Sequence, residues 1–446
     1  MSVRAPRTSD RPITGRIIAA RPTTARVSGT AHHLPADQAV VRRHNLGMVL
    51  RLLRDQGPRS RAGIAAATGL GKPTVSSLVA DLTERGLVRE VGLSQGAATR
   101  RVGRPATLVE VDGTHVAAVG VELNVDYLAA IALDLGGRVM AERRRLLDAV
   151  HTPRARVVAA LARLARQTVA DAAAVGATTI AGLSVAVPGV VDQADGRLRL
   201  APNLGWRDVP LLDRLHSALA PAYPIIVDNE ANMAALAEHR LAGQVDNLVC
   251  VIGETGVGAG ILINGQLMRG VNGASGEVGH MAVVPDGLPC GCGGRGCWET
   301  VVGLRALLRD AVPDLAADFE ANAQMTPEDK VDAVTERARA GDAVALGALD
   351  RLGYWLGLGA ANLANLFNPE VIVLTGFYTQ VGSWVRPALD AAFAAQSRPS
   401  GGCRIELSRL ELSPARGGAL LAADRVFDDP TVVPYQRSPR KGARHE

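Results

Sequence analysis

From residue 114 to residue 427, short apolar segments typical of buried strands alternate with longer segments whose apolar residues have helical spacing. The strand candidates are VAAVGVEL, YLAAIALDL, IAGLSVAV, PIIVD, NLVCVIG, GAGILING and EVIVLTG. The helix candidates include RARVVAALARLARQTVADAAAVG and GYWLGLGAANLANLFN. Such alternation is typical of an α/β fold, and a body of this length can bury a sizeable core. We therefore predict an α/β domain over residues 114–427.

A different pattern occupies residues 40–113. Apolar residues recur at helical spacing from Leu46 to Leu53, and the stretch SRAGIAAATGL follows with Ser60 as a candidate N-cap. A tight turn over residues 69–71 leads to a third candidate helix, KPTVSSLVADLTERG, whose early proline suits a first turn. The segments LVREVG and ATLVEVD are typical of the two strands of a hairpin. This order of helix, helix, turn, helix and hairpin predicts a winged helix-turn-helix domain.

The positive charge of the chain is concentrated in this first quarter. Residues 1–113 contain 18 Lys and Arg against 8 Asp and Glu, a net charge of +10, whereas the whole chain carries +5. A basic domain on an acidic body points to a polyanionic partner, and the last helix of a helix-turn-helix enters the major groove of DNA. The candidate DNA-contacting residues are Arg59, Ser60, Arg61, Lys72, Thr74, Ser76, Ser77 and Arg104, with Arg100 and Arg101 beside Arg104 in the wing. The alternative is a small protein–protein module with a solvated basic face.

The two ends of the chain have a different composition. Residues 1–39 are rich in arginine, threonine, proline and alanine without a periodic apolar face, and residues 428–446 are polar and basic. We expect both ends to be disordered tails, with a DNA-binding arm as the alternative for the first. No apolar run approaches the roughly 20 residues of a membrane span, and the arginine-rich start lacks the apolar core of a signal peptide. These features predict a cytoplasmic protein without a membrane partner.

Three of the five cysteines lie within eight residues, and an odd total argues against a disulfide framework. Together with a histidine they form the pattern His280-x9-Cys290-x-Cys292-x4-Cys297 in a glycine-rich loop. Three thiolates and one imidazole make a closed tetrahedral set that suits a structural zinc ion (Zn2+). The alternative is three incidental buried cysteines. The other two cysteines lie in or beside apolar segments and are expected to be core residues.

The stretch GASGEVGHMAVVPDGLPCGCGGRGCWET, together with the helix-turn-helix ahead of it, resembles the repressor–ORF–kinase (ROK) family. The resemblance extends from about Val41 to Phe427. It implies a two-lobed ribonuclease H-like, actin-like ATPase fold (the ROK sugar-kinase fold), with sugar and nucleotide in the cleft between the lobes. The sugar-binding residues that it implies are Asn203, Asn229, Glu230, Glu277, His280 and Glu299. In that case His280 would both ligate zinc and contact the sugar.

Four departures from the kinase pattern of that family affect nucleotide-binding or catalytic elements. Where the kinases carry Asp-x-Gly-Gly-Thr, this chain has Glu122 followed by Leu-Asn-Val, which lacks the glycines that let a backbone approach a phosphate. Glu230 stands at the position of the general-base aspartate and is one methylene longer. Glu254 replaces a small residue in the second glycine loop, and Phe377 stands where the kinases often have a glycine beside the adenosine. We therefore expect sugar binding without phosphoryl transfer, and no catalytic residue.

Together these features predict a sugar-responsive transcriptional regulator, a repressor or an activator, of carbohydrate-metabolism genes. It would bind a palindromic operator as a homodimer or homotetramer, and a small sugar or sugar phosphate in the cleft would change the spacing of its DNA-binding heads. One alternative is an active ATP-dependent sugar kinase with an appended DNA-binding domain. The other is a DNA-binding scaffold whose body has lost its sugar pocket.

Overall fold

Three helices and a small antiparallel sheet open the computed structural model, which describes residues 37–93, 107–243, 245–321, 325–398 and 402–436. These elements are α1 (Gln38–Gln56), β1 (Arg59–Ser60), α2 (Arg61–Thr68), α3 (Lys72–Glu84), β2 (Val88–Leu93) and β3 (Thr107–Val111). The strands lie in the order β1-β3-β2. The predicted winged helix-turn-helix is confirmed, with β1 as an addition that is too short to show periodicity.

Local capping explains the path of the chain from α2 to α3. The Ser60 hydroxyl accepts a hydrogen bond from the backbone N–H of Gly63 at 3.1 Å, which makes Ser60 the predicted N-cap of α2. Helix α2 ends at Gly69, whose φ of 71° lies in the left-handed region that favours glycine. Pro73 lies in the first turn of α3, where no backbone N–H is needed. The apolar faces of the three helices meet in one core, which contains Leu46, Leu50, Ile64, Val75, Leu78 and Leu82.

The first lobe of the body is built on a five-stranded sheet of order β11-β7-β4-β5-β6. Its elements are β4 (Val116–Leu123), β5 (Tyr127–Asp134), β6 (Val139–Leu146), α4 (Arg154–Ala174), β7 (Thr179–Val187), β8 (Val190–Asp192), β9 (Arg197–Ala201), β10 (Trp206–Val209), α5 (Leu211–Leu219) and β11 (Ile225–Asn229). Strands β4, β7 and β11 run parallel, and β8–β10 form a separate small sheet. The sequence pattern does not predict β6, because this exposed edge strand carries several charged residues.

The second lobe is built on another five-stranded sheet, of order β14-β13-β12-β15-β16. The elements of this part of the chain are α6 (Glu230–Ala242), β12 (Leu248–Gly253), β13 (Val257–Ile263), β14 (Gln266–Leu267), α7 (Glu299–Val302), α8 (Leu304–Ala311), α9 (Ala316–Ala321), α10 (Pro327–Arg339), α11 (Ala343–Phe367), β15 (Val371–Gly376), α12 (Tyr378–Gln396), β16 (Arg404–Leu407) and α13 (Ser413–Asp428). Within the described ranges, no helix is both long enough and apolar enough to cross a bilayer. The predicted two-lobed α/β fold is confirmed.

Helices α6 and α13 pack against each other, and α13 also covers strands β4 and β7 of the first sheet. A side chain at Gly120 in β4 would overlap the backbone carbonyl of Ala415 in α13, and one at Gly417 would overlap the carbonyl of Met233 in α6. Backbones therefore touch directly at these two contacts, without side chains between them. Such close-packed contacts leave little room for one element to move independently of the other.

The end of α13 and the residues after it complete the core of the winged helix-turn-helix. Phe427 and Val433 belong to the same apolar cluster as α1 and α3. At the end of α3, Arg85 donates to the carbonyl oxygen of Val433 at 2.6 Å, and its guanidinium lies 4.0 Å from the ring centre of Tyr435. The expectation of disordered tails does not hold for residues 38–39, which lie in α1, or for residue 428, which ends α13. It also does not hold for residues 429–436, because this segment supplies acceptors to a buried arginine. The rest of that tail and residues 1–36 lie outside the described residues.

Candidate functional site

A cavity in the cleft between the two lobes is lined by polar side chains from distant parts of the chain. They come from the segment after β9, the start of α6, the 3-10 helix over residues 278–280, and α7. All six side chains that the family resemblance points to line this one cavity, namely Asn203, Asn229, Glu230, Glu277, His280 and Glu299. The fold therefore brings together carboxylates, amides and an imidazole, which are the groups that bond to vicinal sugar hydroxyls.

Asn229 caps a helix in addition to lining the cavity. Its side-chain oxygen accepts hydrogen bonds from the backbone N–H groups of Ala231 at 2.8 Å and Asn232 at 3.2 Å, which makes it the N-cap of α6. Its amide nitrogen donates to the carbonyl of Gly189 at 2.9 Å. One amide N–H is left for a ligand, and that ligand would contact the N-cap of a helix directly.

Asp228, which sequence reasoning missed, organises the floor beside Asn229. It is 2% exposed and accepts hydrogen bonds from Arg269 at 2.7 Å and Gln193 at 2.6 Å. Arg269 follows β14 of the second lobe, so this partly buried ion pair joins the two lobes next to the cavity. A carboxylate at the end of a buried strand, one residue before a candidate ligand, is the only signal that sequence offers for this role.

Glu230 is held largely out of water at the start of α6. Burial raises the pKa of its carboxyl to about 8, and the nearby carboxylates of Glu122 and Glu277 act in the same direction. At neutral pH the protonated form is therefore favoured, which can donate a hydrogen bond to a sugar hydroxyl. A protonated carboxyl cannot accept the proton that a general base must remove.

The raised pKa of Glu230 predicts a pH dependence of stability. The ordinary pKa in the unfolded chain is 4.5 and the folded value is about 8, so the folded state binds more protons and stability falls as pH rises between these values. In Glu230→Gln the loss of folding stability between these pH values should be smaller by on the order of 1 kcal/mol, after allowance for the partial contact of the side chain with solvent. Thermal melts between pH 5 and pH 9 measure this loss of stability. The control variant is Glu336→Gln, at an exposed glutamate of α10. Parallel pH profiles of the wild type and Glu230→Gln would contradict the prediction.

The predicted metal-binding side chains form one compact cluster. The ligand atoms of His280, Cys290, Cys292 and Cys297 all lie within 4.8 Å of one another. The sulfurs of Cys292 and Cys297 are 3.7 Å apart, and the Cys290 sulfur lies 3.5 Å from His280 Nδ1. A tetrahedron with Zn–S bonds of ~2.3 Å places its sulfurs ~3.8 Å apart, so these spacings fit a metal of that size.

The metal cluster and the cavity share His280. Its Nδ1 faces the cysteines, whereas its Nε2 lies 3.8 Å from a carboxylate oxygen of Glu277. Glu299 also connects the two places, because one of its carboxylate oxygens lies 3.5 Å from His280 Nδ1. An ion held by the cysteines would therefore fix the orientation of an imidazole in the cavity wall.

A second cavity of about 360 Å³ adjoins the cleft beyond Glu254 and is strongly acidic. The carboxylates that line it are those of Glu142, Glu254, Glu328 and Glu411. The cation in this wall, Arg144, is paired with Glu328 at 2.8 Å. Burial also raises the pKa of nearby Glu122 to about 7, against the hydrogen bond that it accepts from Tyr127 at 2.7 Å. Burial raises the pKa of Glu254 as well, and Glu328 is paired, so a polyphosphate would meet mainly the exposed carboxylates of Glu142 and Glu411.

Phe377 occupies the position where the kinases often have a glycine beside the adenosine, and Tyr378 follows it. Both side chains are almost fully buried, with ring centres 4.5 Å apart. A side chain at Gly253 would contact both rings, so they pack directly on the end of β12. The Glu254 side chain, at the turn that follows, is 8% exposed and accepts a hydrogen bond from Asn124 at 3.4 Å.

The candidate DNA-contacting residues divide into three groups. Lys72, Thr74, Ser76 and Ser77 are exposed on the N-terminal half of α3. The Ser60 hydroxyl caps α2, and Arg61 pairs with Glu90 of β2 at 2.8 Å, so these two residues have structural partners. Arg59 lies in β1. Arg100, Arg101 and Arg104 lie outside the described residues. Sequence reasoning missed Arg42 of α1, which lies against α3 through Asp81 at 2.7 Å and the Ser77 hydroxyl at 3.3 Å.

Comparison with known proteins extends this description. The model of the ROK family matches residues 118–425, and that of the IclR helix-turn-helix domain matches residues 45–92. The chain is 31% identical over 409 residues to the xylose repressor of Bacillus subtilis (strain 168), which covers 88% of this chain and 98% of that protein.

Two solved structures show the same fold. A ROK family transcriptional regulator, a homologue of the E. coli Mlc protein, superposes with a TM-score of 0.70 at 26% identity and covers 87% of this chain and 97% of its own. A ROK family glucokinase from Streptomyces griseus, in complex with glucose and AMPPNP, superposes with a TM-score of 0.59 at 29% identity over 69% of this chain and 99% of its own. Because the family model matches well over half of the chain and the repressor aligns over nearly its full length, this protein belongs to the ROK family.

Proposed function

We propose that this protein is a sugar-responsive transcriptional repressor of carbohydrate-metabolism genes. The observation that carries the proposal is that one chain joins a helix-turn-helix, with exposed polar residues at the start of α3, to a cleft in which six polar side chains line one cavity. The similarity to the B. subtilis xylose repressor spans both parts, whereas the S. griseus glucokinase covers 69% of the chain. We assign residues 40–113 to DNA binding and residues 114–427 to effector binding, with residues 429–436 packed on the DNA-binding domain.

In this proposal the six side chains of the cleft bind the sugar. Glu277 and Glu299 line the cavity in addition to the protonated Glu230, so an unphosphorylated sugar suits the cavity better than a sugar phosphate. D-xylose and D-glucose are the first ligands to test, because the similar proteins are a xylose repressor and a glucokinase crystallised with glucose. N-acetyl-D-glucosamine extends the panel.

We further propose that His280, Cys290, Cys292 and Cys297 hold a structural zinc ion. Four protein ligands close the coordination shell, so the ion would organise the loop and supply no open position for chemistry. The sulfur and nitrogen spacings of 3.7 and 3.5 Å support this assignment. The chain's contribution is to place His280 and Glu299 at the cavity in a defined orientation.

An active sugar kinase is the second candidate function, and the similarity to the S. griseus glucokinase favours it. The exposed carboxylates of Glu142 and Glu411 in the adjoining cavity and the raised pKa of Glu230 oppose it. We expect no release of ADP above a no-enzyme control when the protein is incubated with MgATP and D-glucose or D-xylose. Sugar-dependent ADP release that Glu230→Gln abolishes would establish the kinase instead.

A gel-shift titration on the DNA upstream of the protein's own gene tests the repressor proposal. The titration is made at a stated salt concentration, because affinity for DNA depends steeply on salt. We expect tight binding to a palindromic site by a dimer or tetramer, released by one sugar of the panel. Specific binding that no sugar alters would favour a DNA-binding scaffold, and failure to bind any specific site would refute the proposal.

A further inference from the structure

Helix α6 begins in the sugar cavity and ends beside the DNA-binding domain. Its N-cap is Asn229 and its first residue is Glu230, both of which line the cavity. Its 13 residues span ~20 Å at 1.5 Å per residue. The last turn carries Arg240, so a single rigid element has one end at the ligand and the other at a charged contact described next.

Arg240 is part of a cluster of four charged side chains, Arg54, Asp55, Arg240 and Asp424, here called the relay cluster. Arg240 lies 3.3 Å from Asp424 of α13 and 3.7 Å from Asp55 of α1. Arg54, also on α1, lies 3.1 Å from the same oxygen of Asp424 and stacks 4.5 Å from the ring centre of Phe427. Three helices that are far apart in sequence therefore meet at Asp424, which accepts from two arginines.

Backbone contacts make the connection between these helices stiff. Gly417 places α13 directly against the Met233 carbonyl in the first turn of α6. At the other end, a side chain at Gly47 of α1 would lie 2.7 Å from the Phe427 carbonyl, so α1 also packs on the backbone of α13. Because no flexible side chains separate these backbones, a displacement of α6 must displace α13, and through it α1.

We infer that the conformational effect of sugar binding at Asn229 and Glu230 is transmitted to the DNA-binding domain through α6, α13 and the relay cluster. Together these elements set the position of α1 and α3. This inference rests on the proposed function and specifies how its two sites are coupled. The coupling is a free energy shared between two binding sites, so the sugar should weaken operator binding by the same factor as the operator weakens sugar binding. The relay cluster contacts neither ligand and serves only to transmit the change.

Two substitutions in the relay cluster test the inference on the full-length protein. Asp424→Asn keeps the shape of the side chain and removes its charge, and Arg240→Gln removes the opposite partner. Each should leave the Kd for D-xylose or D-glucose, whichever the wild type binds, within about twofold, and each should still bind the operator. The change in operator Kd caused by that sugar should shrink by about 3- to 10-fold relative to the wild type.

The control is Asp390→Asn, which removes the same charge from an exposed ion pair with Arg386 within α12. It should retain the full sugar effect. Arg54→Gln, which removes the other arginine from which Asp424 accepts, should show the same smaller sugar effect, and it serves also if one of the first two variants folds poorly. Calorimetry measures the sugar Kd, and fluorescence anisotropy with labelled operator measures the DNA Kd with and without sugar.

The outcomes separate this inference from the proposed function. If the wild type responds to sugar and both Asp424→Asn and Arg240→Gln respond equally well, the relay is refuted while the sugar-responsive repressor stands. If both variants lose sugar binding itself, the cluster stabilises the cavity and the relay is refuted as well. A wild type whose operator Kd no sugar of the panel changes would overturn both proposals.

Discussion

Cys297→Ser should lower sugar affinity by about 10- to 100-fold and abolish release from the operator, while leaving operator binding itself intact. Cys297 is 3% exposed and lies 3.7 Å from Cys292 in the metal cluster, so its loss opens the shell that holds His280 at the cavity. The apolar cluster that contains the winged helix-turn-helix includes no residue of this loop. Metal content by atomic spectroscopy, sugar affinity by calorimetry and operator binding by gel shift measure the three effects.

Cys403→Ser is the matched control for this experiment. Cys403 is half-buried and packs against the core of the second lobe, away from the four clustered ligands. The control should retain zinc and the full response to sugar. Sugar binding of wild-type strength in metal-free Cys297→Ser would show that the ion is dispensable for the cavity and would contradict the prediction.

Lys72→Glu should weaken operator binding by about 30- to 100-fold and leave sugar affinity unchanged. Lys72 is the exposed first residue of α3, where a positive side chain can reach a DNA phosphate and a negative one repels it. The milder Lys72→Ala should lower the salt dependence of binding by about one released ion. Fluorescence anisotropy over a series of salt concentrations gives both the affinity and this slope.

Arg386→Glu on α12 makes the same change of charge on the second lobe and controls for net charge alone. It should reduce operator affinity much less than Lys72→Glu does. Equal losses in the two variants would mean that α3 makes no special contact with DNA, which would favour the protein–protein module considered for this domain. Normal melting temperatures for both variants would show that the comparison concerns binding and not folding.

Features that depend on near neighbours in the chain could be predicted from sequence. The N-cap at Ser60 and the left-handed glycine at Gly69 involve partners within one helical turn, so the residues alone identify them. The metal cluster is similar, because three of its ligands lie within eight residues and only His280 is more distant. The six cavity residues were recognised through a family pattern, and the fold brings all of them to one place.

Features that depend on packing between distant segments could not be predicted. Asp228 and Arg269 are 41 residues apart, and nothing in either segment indicates that the two lobes meet there. The capping role of Asn229 is hidden as well, because an amide before a helix can serve the helix, a ligand or both. The acidic cavity that opposes nucleotide binding combines glutamates from four separate elements or loops.

The sequence by itself determined the two-domain organisation, the helix-turn-helix and the composition of the metal cluster, because these follow from local periodicity, capping and spacing. The six cavity residues were implied by the family resemblance. Only the tertiary structure decided that residues 429–436 pack on the end of α3 and that Arg54 meets Asp424, 370 residues later, beside Arg240. Contacts of this kind depend on how whole helices and sheets stack, so their partners are selected by the packing of the complete fold and not by any local pattern.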